Sequence, residues 1–194
     1  MKIRLLLTGS LFLSALTGSY AQPDTAKISR RALFFADSLV KADKFEEWSI
    51  YADLAPASVI KYYGGKEGYI DHARVGRMRT LSTIEEEAPQ LQLLRLVTKD
   101  DQWQCVIRES RYFHKEDKQY HLVTYFVGHS RDEGETWRLF DVSYNPLRDL
   151  IRIFPEILDM PIEEPAILSA GEEAARQQPA ASPGTTQRRR KTTG

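Results

Sequence analysis

Four polar residues of the kind that could form a small-molecule site lie in a region otherwise rich in β-branched and aromatic residues: Glu109, Arg111, Tyr125 and Asp141. A carboxyl group in apolar surroundings has a raised pKa, so it can take up a proton near neutral pH. A tyrosine hydroxyl can donate a hydrogen bond beside it. Without a reaction, the same residue types would bind the polar end of a ligand.

Strand alternation decides whether these side chains can meet. If both hairpins pair odd-numbered residues with odd-numbered ones, Tyr125 lies opposite Asp141 and near Glu109. The same sheet face then carries an apolar floor: Cys105, Ile107, Val123, Val127 and Leu139. The opposite face is an equally good core, so the sequence leaves open which face is buried. The alternative interpretation is an exposed cross-strand salt bridge between Glu109 and Arg111 or Arg138, which would contribute little to stability.

The segment SRDEGETW, residues 130–137, resembles the Asp-box on the blades of sialidases and related β-propellers. In that motif the aspartate accepts backbone amides, the glycine adopts a positive φ, and the aromatic residue packs across the hairpin. A propeller needs several blades of about four strands, whereas one copy is present. We therefore expect a structural hairpin turn, without glycan chemistry, formed by Asp132, Gly134, Thr136 and Trp137.

Neither the spacing of the histidines nor any sequence motif predicts a metal or cofactor site. His121 and His129 are eight residues apart on one predicted strand, which corresponds to about 25 Å at about 3.3 Å per residue. The two side chains are therefore too far apart to share one metal ion. The sequence contains no HExxH, no paired cysteines and no glycine-rich phosphate loop. We expect neither a metal nor a cofactor.

The first 21 residues have the pattern of a signal peptide. A basic start with Lys2 and Arg4 is followed by the apolar run Leu5 to Leu16 and a small-x-small site that ends at Ala21. The apolar run is interrupted by polar residues and is shorter than the about 20 residues of a membrane-spanning helix. We expect a periplasmic or secreted mature chain that begins near residue 22 and has no membrane span.

The net charge limits the classes of binding partner, and the cysteine content limits the disulfide bonds that the chain can form. Lys plus Arg and Asp plus Glu both number 27, and loss of Lys2 and Arg4 leaves a net charge of about −2, which gives no reason to expect nucleic acid. The single cysteine, Cys105, excludes an internal disulfide. A single domain must therefore be stabilised by packing, and its length is close to the common domain size of about 100–150 residues.

Hydrophobic periodicity predicts helices followed by strands. The helical regions are 28–52, with a break at Asp43 and Lys44, then 57–63 and 66–78. The strands of an antiparallel meander are 91–98, 103–113, 120–128 and 136–143. Asn145 and Pro146 predict the start of a short C-terminal helix that Pro155 would kink or split. Its expected buried stripe is Leu147, Leu150, Ile151, Phe154, Ile157 and Leu158.

Composition divides the chain into three parts. Residues 1–21 are the signal peptide, residues 22–165 a single α+β domain, and residues 166–194 a segment with few large apolar side chains. Because that last segment can bury little apolar surface, we expect a disordered tail. Its basic cluster at 188–191 is typical of a solubilising end.

Three segments together resemble secreted bacterial members of the nuclear transport factor 2-like superfamily: SVIKYYGGKEGYIDHARVGRM, SRDEGETWRLFDVS and PLRDLIRIFPEILDMP. The resemblance covers roughly residues 28–161. It implies an α+β cone in which N-terminal helices pack on a curved antiparallel sheet, with a short C-terminal helix. Similar domains serve as small isomerases and cyclases, as binding modules and as dimerisation domains, so the fold alone does not name an activity.

Three functional hypotheses follow. One is a purely structural partner of an envelope assembly, which would expose an apolar sheet face in the monomer. Of the other two, the first is a module without catalysis that binds a small apolar or amphipathic ligand, or pairs with itself as a homodimer or with a partner through its sheet. The second is an enzyme of isomerase or cyclase type that uses Glu109 or Asp141 as base and Tyr125 as hydrogen-bond donor. The residue patterns favour the first, because no catalytic motif accompanies the carboxylates.

Overall fold

The computed structural model describes residues 24–81, 88–99, 101–115, 118–143, 149–155, 157, 162, 166–169 and 172–173. The expected signal peptide and most of the expected tail lie outside these residues. Along the described ranges, no helix combines the length and the apolar character that crossing a bilayer requires.

Residues 24–81 form four helices in the region where apolar spacing predicts them. They are α1 (Thr25–Lys44), α2 (Trp48–Asp53), α3 (Ala57–Tyr62) and α4 (Lys66–Leu81). The Asp24 side chain caps the first helix by accepting a hydrogen bond from the Lys27 amide at 3.0 Å. The predicted break after Asp43 is confirmed, since α1 ends at residue 44 and α2 begins at residue 48.

The strands that follow form one antiparallel sheet of five strands among the described residues, which confirms the α+β class. They are β1 (Gln90–Lys99), β2 (Gln102–Lys115), β3 (Lys118–Ser130), β4 (Arg138–Asp141) and β5 (Ala166–Ser169). Sequential neighbours pair in the order β1-β2-β3-β4, as the meander predicts, and β5 also pairs with β3.

The register of both hairpins differs by one residue from the expected one. Glu109 pairs with Thr124, and Phe126 pairs with Asp141. Connections of two and eight residues join the last paired positions of the two hairpins. Because these loop lengths are even, odd-numbered residues pair with even-numbered ones, and every β3 side chain changes face relative to the prediction.

The corrected register redistributes the side chains of β3. Those that share a face with Glu109 are Leu122, Thr124 and Phe126. Those assigned to that face by the sequence argument, and found on the opposite one, are Val123, Tyr125 and Val127. The assignments of Cys105 and Ile107 to the face of Glu109 are consistent with the observed pairing.

One apolar core joins the helices and the sheet. Helix α1 contacts β1, β2 and β4, and its buried stripe lies in the same hydrophobic cluster as residues from the middle of the sheet. The α1 members of this cluster include Ala32, Ala36 and Leu39, and the sheet members include Ile107, Phe126 and Leu139. Side chains on the Glu109 face of the sheet are thus part of a core and not of a solvated surface.

The C-terminal helix is shorter than predicted. Helix α5 spans Leu150–Ile153 and ends before Pro155, as expected for a residue that cannot continue a helix. The buried side chains after β4 are Leu150, Ile153, Phe154 and Ile157. Ile151, assigned to the buried stripe, is exposed instead. The predicted start at Asn145 and Pro146, and the stripe residues Leu147 and Leu158, lie outside the described residues.

The segment expected to be disordered from residue 166 onward contains a strand at its start. Strand β5 pairs with residues 120–123 of β3, on the same edge where β4 pairs with residues 126–129. Glu173, a few residues later, places its carboxylate 2.9 Å from His121 Nδ1. Backbone pairing with an open strand edge offsets the low apolar content of this short segment, an effect that composition does not reveal.

Candidate functional site

Glu109 and Arg111 lie in the core, on the same face of β2. Two residues apart on a strand, they point to the same side, and Arg111 Nε donates a hydrogen bond to Glu109 Oε1 at 2.6 Å. Their exposed fractions are 1% and 7%. An ion pair removed from water to this extent loses hydration that its mutual attraction only partly restores, so it is uncommon as a purely stabilising feature.

Asp141 approaches the same region from β4. Its carboxylate accepts a hydrogen bond from the Ser143 amide at 2.7 Å and another from the Ser143 hydroxyl. The Thr124 and Ser143 hydroxyl oxygens are 2.6 Å apart. Because the Ser143 hydroxyl donates to the carboxylate, Thr124 is the donor in this second contact. Thr124 is also the strand partner of Glu109, so the chain of hydrogen bonds leads toward the Glu109 and Arg111 pair.

A third carboxylate comes from α1. Asp43 is 5% exposed, and Arg77 of α4 places Nη1 2.5 Å from its Oδ2. In the sequence, Asp43 is expected only as part of a helix break. A sharper signal was available, because Asp43 follows Ala36 and Val40 at helical spacing and thus continues the apolar stripe of α1. An acidic residue on a buried stripe marks a polar site within a core.

The pKa values of Glu109 and Asp141 depend on the charges of the neighbouring side chains. Burial raises the pKa of Glu109 to about 7; Arg111 opposes the rise, and the charges of Asp141 and Asp43 add to it. Burial also raises the pKa of Asp141 to about 6, against the hydrogen bonds from Ser143 and with a further increase from Asp43. The carboxyl groups of Glu109 and Asp141 therefore change protonation close to neutral pH.

We call Asp43, Glu109, Arg111 and Asp141 the buried charged cluster. With Arg77 at its edge, three carboxyl groups face two guanidinium groups, so the set has one acidic group in excess. Apolar side chains on the same sheet face surround it: Ile107, Phe126 and Leu139. A polar centre with apolar surroundings is the composition of a small-molecule site.

Two tyrosines of the helices lie beside the buried charged cluster. The rings of Tyr51 and Tyr69 stack with their centroids 5.7 Å apart, and both side chains are buried. Burial raises the pKa of Tyr69 strongly; a hydrogen bond with Tyr51 opposes the rise, and the charges of Asp141 and Asp43 add to it. The hydroxyl of Tyr69 is thus a neutral hydrogen-bond donor in the electrostatic field of these carboxylates.

Tyr125, predicted to join this site, does not reach it. It pairs with Arg108 and lies on the sheet face opposite to Glu109 and Asp141. The error follows directly from the one-residue register difference. Of the four predicted pocket residues, the structure brings together Glu109, Arg111 and Asp141.

The Asp132 turn has the internal hydrogen bonds that its residue types predict. Asp132 accepts hydrogen bonds from the Thr136 amide at 2.9 Å, the Thr136 hydroxyl at 2.6 Å and the Ser130 hydroxyl at 2.8 Å. Burial acts to raise the pKa of Asp132, but the hydrogen bonds from Thr136 and Ser130 lower it. Gly134 has φ +89°, and its carbonyl oxygen accepts the indole N–H of the fully buried Trp137 at 3.1 Å.

Histidine, cysteine and acidic side chains do not form a metal-binding group of three or more within the described ranges. His121 and His129 both lie on the β3 face opposite to Glu109, at its two ends.

Comparison of the chain with protein-family models, curated proteins and solved structures gives no match.

Proposed function

We propose that this protein is a binding module without catalysis, whose ligand is a small amphipathic molecule held at the buried charged cluster. The observation that supports this is the burial of Glu109, Asp141 and Asp43 beside Arg111 within an apolar core. Core positions are seldom occupied by ionisable groups unless a pairing or a function compensates for the lost hydration.

The charge balance indicates which ligand fits. A protonated amine or a cluster of hydroxyl donors suits a site where three carboxyl groups lie near one another. The surrounding aliphatic and aromatic side chains favour an apolar body attached to that head group. A short alkyl amine therefore represents the proposed ligand class.

The proposed setting follows from the sequence resemblance. Helices followed by an antiparallel sheet are compatible with a nuclear transport factor 2-like cone, and in such a cone the buried charged cluster would lie between the helices and the concave sheet face. We further propose that residues 1–21 direct the chain to the periplasm or the exterior.

A calorimetric titration of the full chain with hexylamine, hexanol and hexanoate tests this function. Hexylamine should bind saturably and more tightly than hexanol, and hexanoate should not bind, since it would add another negative charge. Glu109→Gln and Asp141→Asn should each weaken hexylamine binding about tenfold, because a charge-assisted hydrogen bond contributes about 1.5–3 kcal/mol. The exposed Glu67→Gln is the matched control. Equal binding of all three probes would contradict the proposal.

A second candidate is a proton-transfer enzyme of isomerase or cyclase type. The observation that favours it is the pKa of Glu109, which burial raises to about 7, the range suited to a general base. Tyr69, on which the charges of Asp141 and Asp43 act, then replaces Tyr125 as the buried hydrogen-bond donor. The two functions separate experimentally, since Glu109→Gln in an enzyme would abolish turnover and leave substrate binding largely intact, whereas in a binding module no turnover exists to lose.

Homodimer formation is the remaining element of the first hypothesis. Analytical ultracentrifugation of the full chain at concentrations from micromolar to millimolar distinguishes it from ligand binding by the monomer. A dimer that persists in Glu109→Gln and Asp141→Asn would place the assembly surface outside the buried charged cluster.

A further inference from the structure

An open cleft of about 310 Å³ lies where β3 ends, the Asp132 turn follows and β4 begins. Its lining residues are Ala57, His129, Ser130, Arg131, Asp132, Thr136 and Arg138. His129 lies on the sheet face opposite to Glu109, so this cleft is separate from the buried charged cluster. Its volume is at the small end of the about 300–1,000 Å³ typical of ligand pockets.

The strand register brings two basic side chains of this cleft together. His129 and Arg138 are direct cross-strand partners, so both side chains project from the same face. His129 is buried, with its ring edge-on to Phe154 at a centroid distance of 5.1 Å. Arg138 Nη1 donates to the Asp53 carbonyl. That bond fixes one edge of an exposed guanidinium group, which has five N–H donors in total.

The acidic residue of the cleft is already engaged within the turn. Both Asp132 oxygens accept hydrogen bonds, one from Ser130 and Thr136 and the other from the Thr136 hydroxyl. The side chains of Arg131 and Arg138 line the cleft together with this internally hydrogen-bonded carboxylate. Counted over Arg131, Arg138 and Asp132, the lining has a net charge of +1.

The turn that carries the cleft is attached to α1. Arg31 donates two hydrogen bonds to the Glu135 carbonyl, at 3.0 and 2.7 Å, and Lys27 pairs with the Glu135 carboxylate. Together with the hydrogen bonds around Asp132, these contacts hold the loop in one conformation. A site with fixed backbone geometry loses less conformational entropy when it binds a ligand.

We propose that this cleft binds the oxyanion group of a small polar molecule, with Arg131 and Arg138 as the principal donors. Guanidinium groups match phosphate, sulfate and carboxylate oxygens through paired N–H donors, which lysine cannot reproduce. The cleft volume accommodates a molecule of about the size of glycerol phosphate.

Calorimetric titrations of the full chain with glycerol 3-phosphate, inorganic phosphate, sulfate, acetate and neutral glycerol test this site. We expect saturable binding of one or more of the anions and none of glycerol. The ranking among phosphate, sulfate and acetate then identifies the oxyanion. Arg138→Gln and Arg131→Gln should each weaken the binding about tenfold, as expected for loss of a charge-assisted hydrogen bond.

Two further variants keep the test decisive. Arg138→Lys retains the charge but lacks the planar fork, so it should weaken binding nearly as much as Arg138→Gln. Arg30→Gln, at an exposed position on α1, is the matched control and should bind like the wild type. The site would be refuted by absence of saturable binding of every anion, or by equal losses in Arg30→Gln and Arg138→Gln with all variants folded by circular dichroism.

Discussion

Arg111 Nε donates to Glu109 Oε1 at 2.6 Å, and both side chains are almost completely removed from solvent. Both residues belong to one face of β2, so the pair is directed into the core and does not bridge an exposed surface. Asp141 and Asp43 add two more carboxylates whose charges raise the pKa of Glu109 beyond the increase caused by burial. The result is a group of three carboxyl groups beside the guanidinium groups of Arg111 and Arg77.

Protein stability should fall as pH rises from about 4.5 to about 7. The unfolded chain releases the Glu109 proton near its ordinary pKa of 4.5, whereas the folded protein retains it until about pH 7. In that window the folded state binds more protons, so its stabilisation by protonated Glu109 is present below pH 4.5 and is lost through pH 7. The loss is on the order of 3 kcal/mol.

Urea unfolding of wild type and Glu109→Gln at pH 5, 6, 7 and 8 measures this dependence. The difference in unfolding free energy between the two proteins removes the contribution of other titrating groups, and it should change in favour of the variant as pH rises. A difference that stays constant across the four pH values would show that Glu109 titrates normally.

Removal of Arg111 should destabilise the fold more at pH 8 than at pH 5. Arg111→Met leaves an ionised, buried Glu109 without its partner, which typically costs about 3–5 kcal/mol. At pH 5 Glu109 is protonated, so less charge is left uncompensated. The double variant with Glu109→Gln should lose less stability than the sum of the two single changes. Arg95→Met, at an exposed position of β1, is the control, and additive losses would contradict the coupling.

Gly134→Ala should destabilise the Asp132 turn beyond the effect of backbone strain. Both Gly134 and Gly64 have positive φ, of +89° and +79°. A Cβ at Gly134 would lie 2.7 Å from Ile28 Cγ2, whereas a Cβ at Gly64 meets no atom within 4 Å. Gly64→Ala therefore reports strain alone, about 1–2 kcal/mol, and Gly134→Ala should cost more.

Thermal unfolding of both glycine variants and of Gly134→Ala combined with Ile28→Ala separates these causes. Relief of the contact should make the double variant less destabilised than the sum of its single changes. Equal melting temperatures for Gly64→Ala and Gly134→Ala would mean that Ile28 does not restrict the turn.

The element order was predictable from the sequence, but the register was not. Apolar spacing located α1 and the break after Asp43, and alternation located the four strands of the meander. Register depends on whether a loop contains an odd or even number of residues. The predicted register was wrong by one residue at each of the two turns that flank β3, so Tyr125 was assigned to the wrong face. The two errors cancel between β2 and β4, so Glu109 and Asp141 were correctly assigned to one face.

Two other features depend on tertiary contacts that local patterns do not encode. Asp43 joins the acidic cluster only because α1 lies against the sheet, although its place on the apolar stripe was visible. Strand β5 forms because the edge of β3 beyond β4 is open for pairing. Composition alone assigned that segment to the tail.

Strand β5 should protect the adjacent edge of β3. We compare a chain that ends at residue 165 with one that ends at Glu173, which retains both β5 and the contact with His121. Hydrogen exchange measured by mass spectrometry should be faster at residues 120–123 in the shorter chain, because its backbone groups there lose their strand partners. Identical exchange in the two chains would show that β5 does not pair stably.

The most direct test of ligand binding at the buried charged cluster is the pKa of Glu109, measured by carboxyl ¹³C NMR with and without hexylamine. We predict a pKa of about 7 in the free protein, raised by burial, and a clear decrease at saturating hexylamine, because a bound cation favours the ionised carboxylate. A Glu109 pKa near 4.5, or one that saturating hexylamine leaves unchanged, would contradict the proposed site.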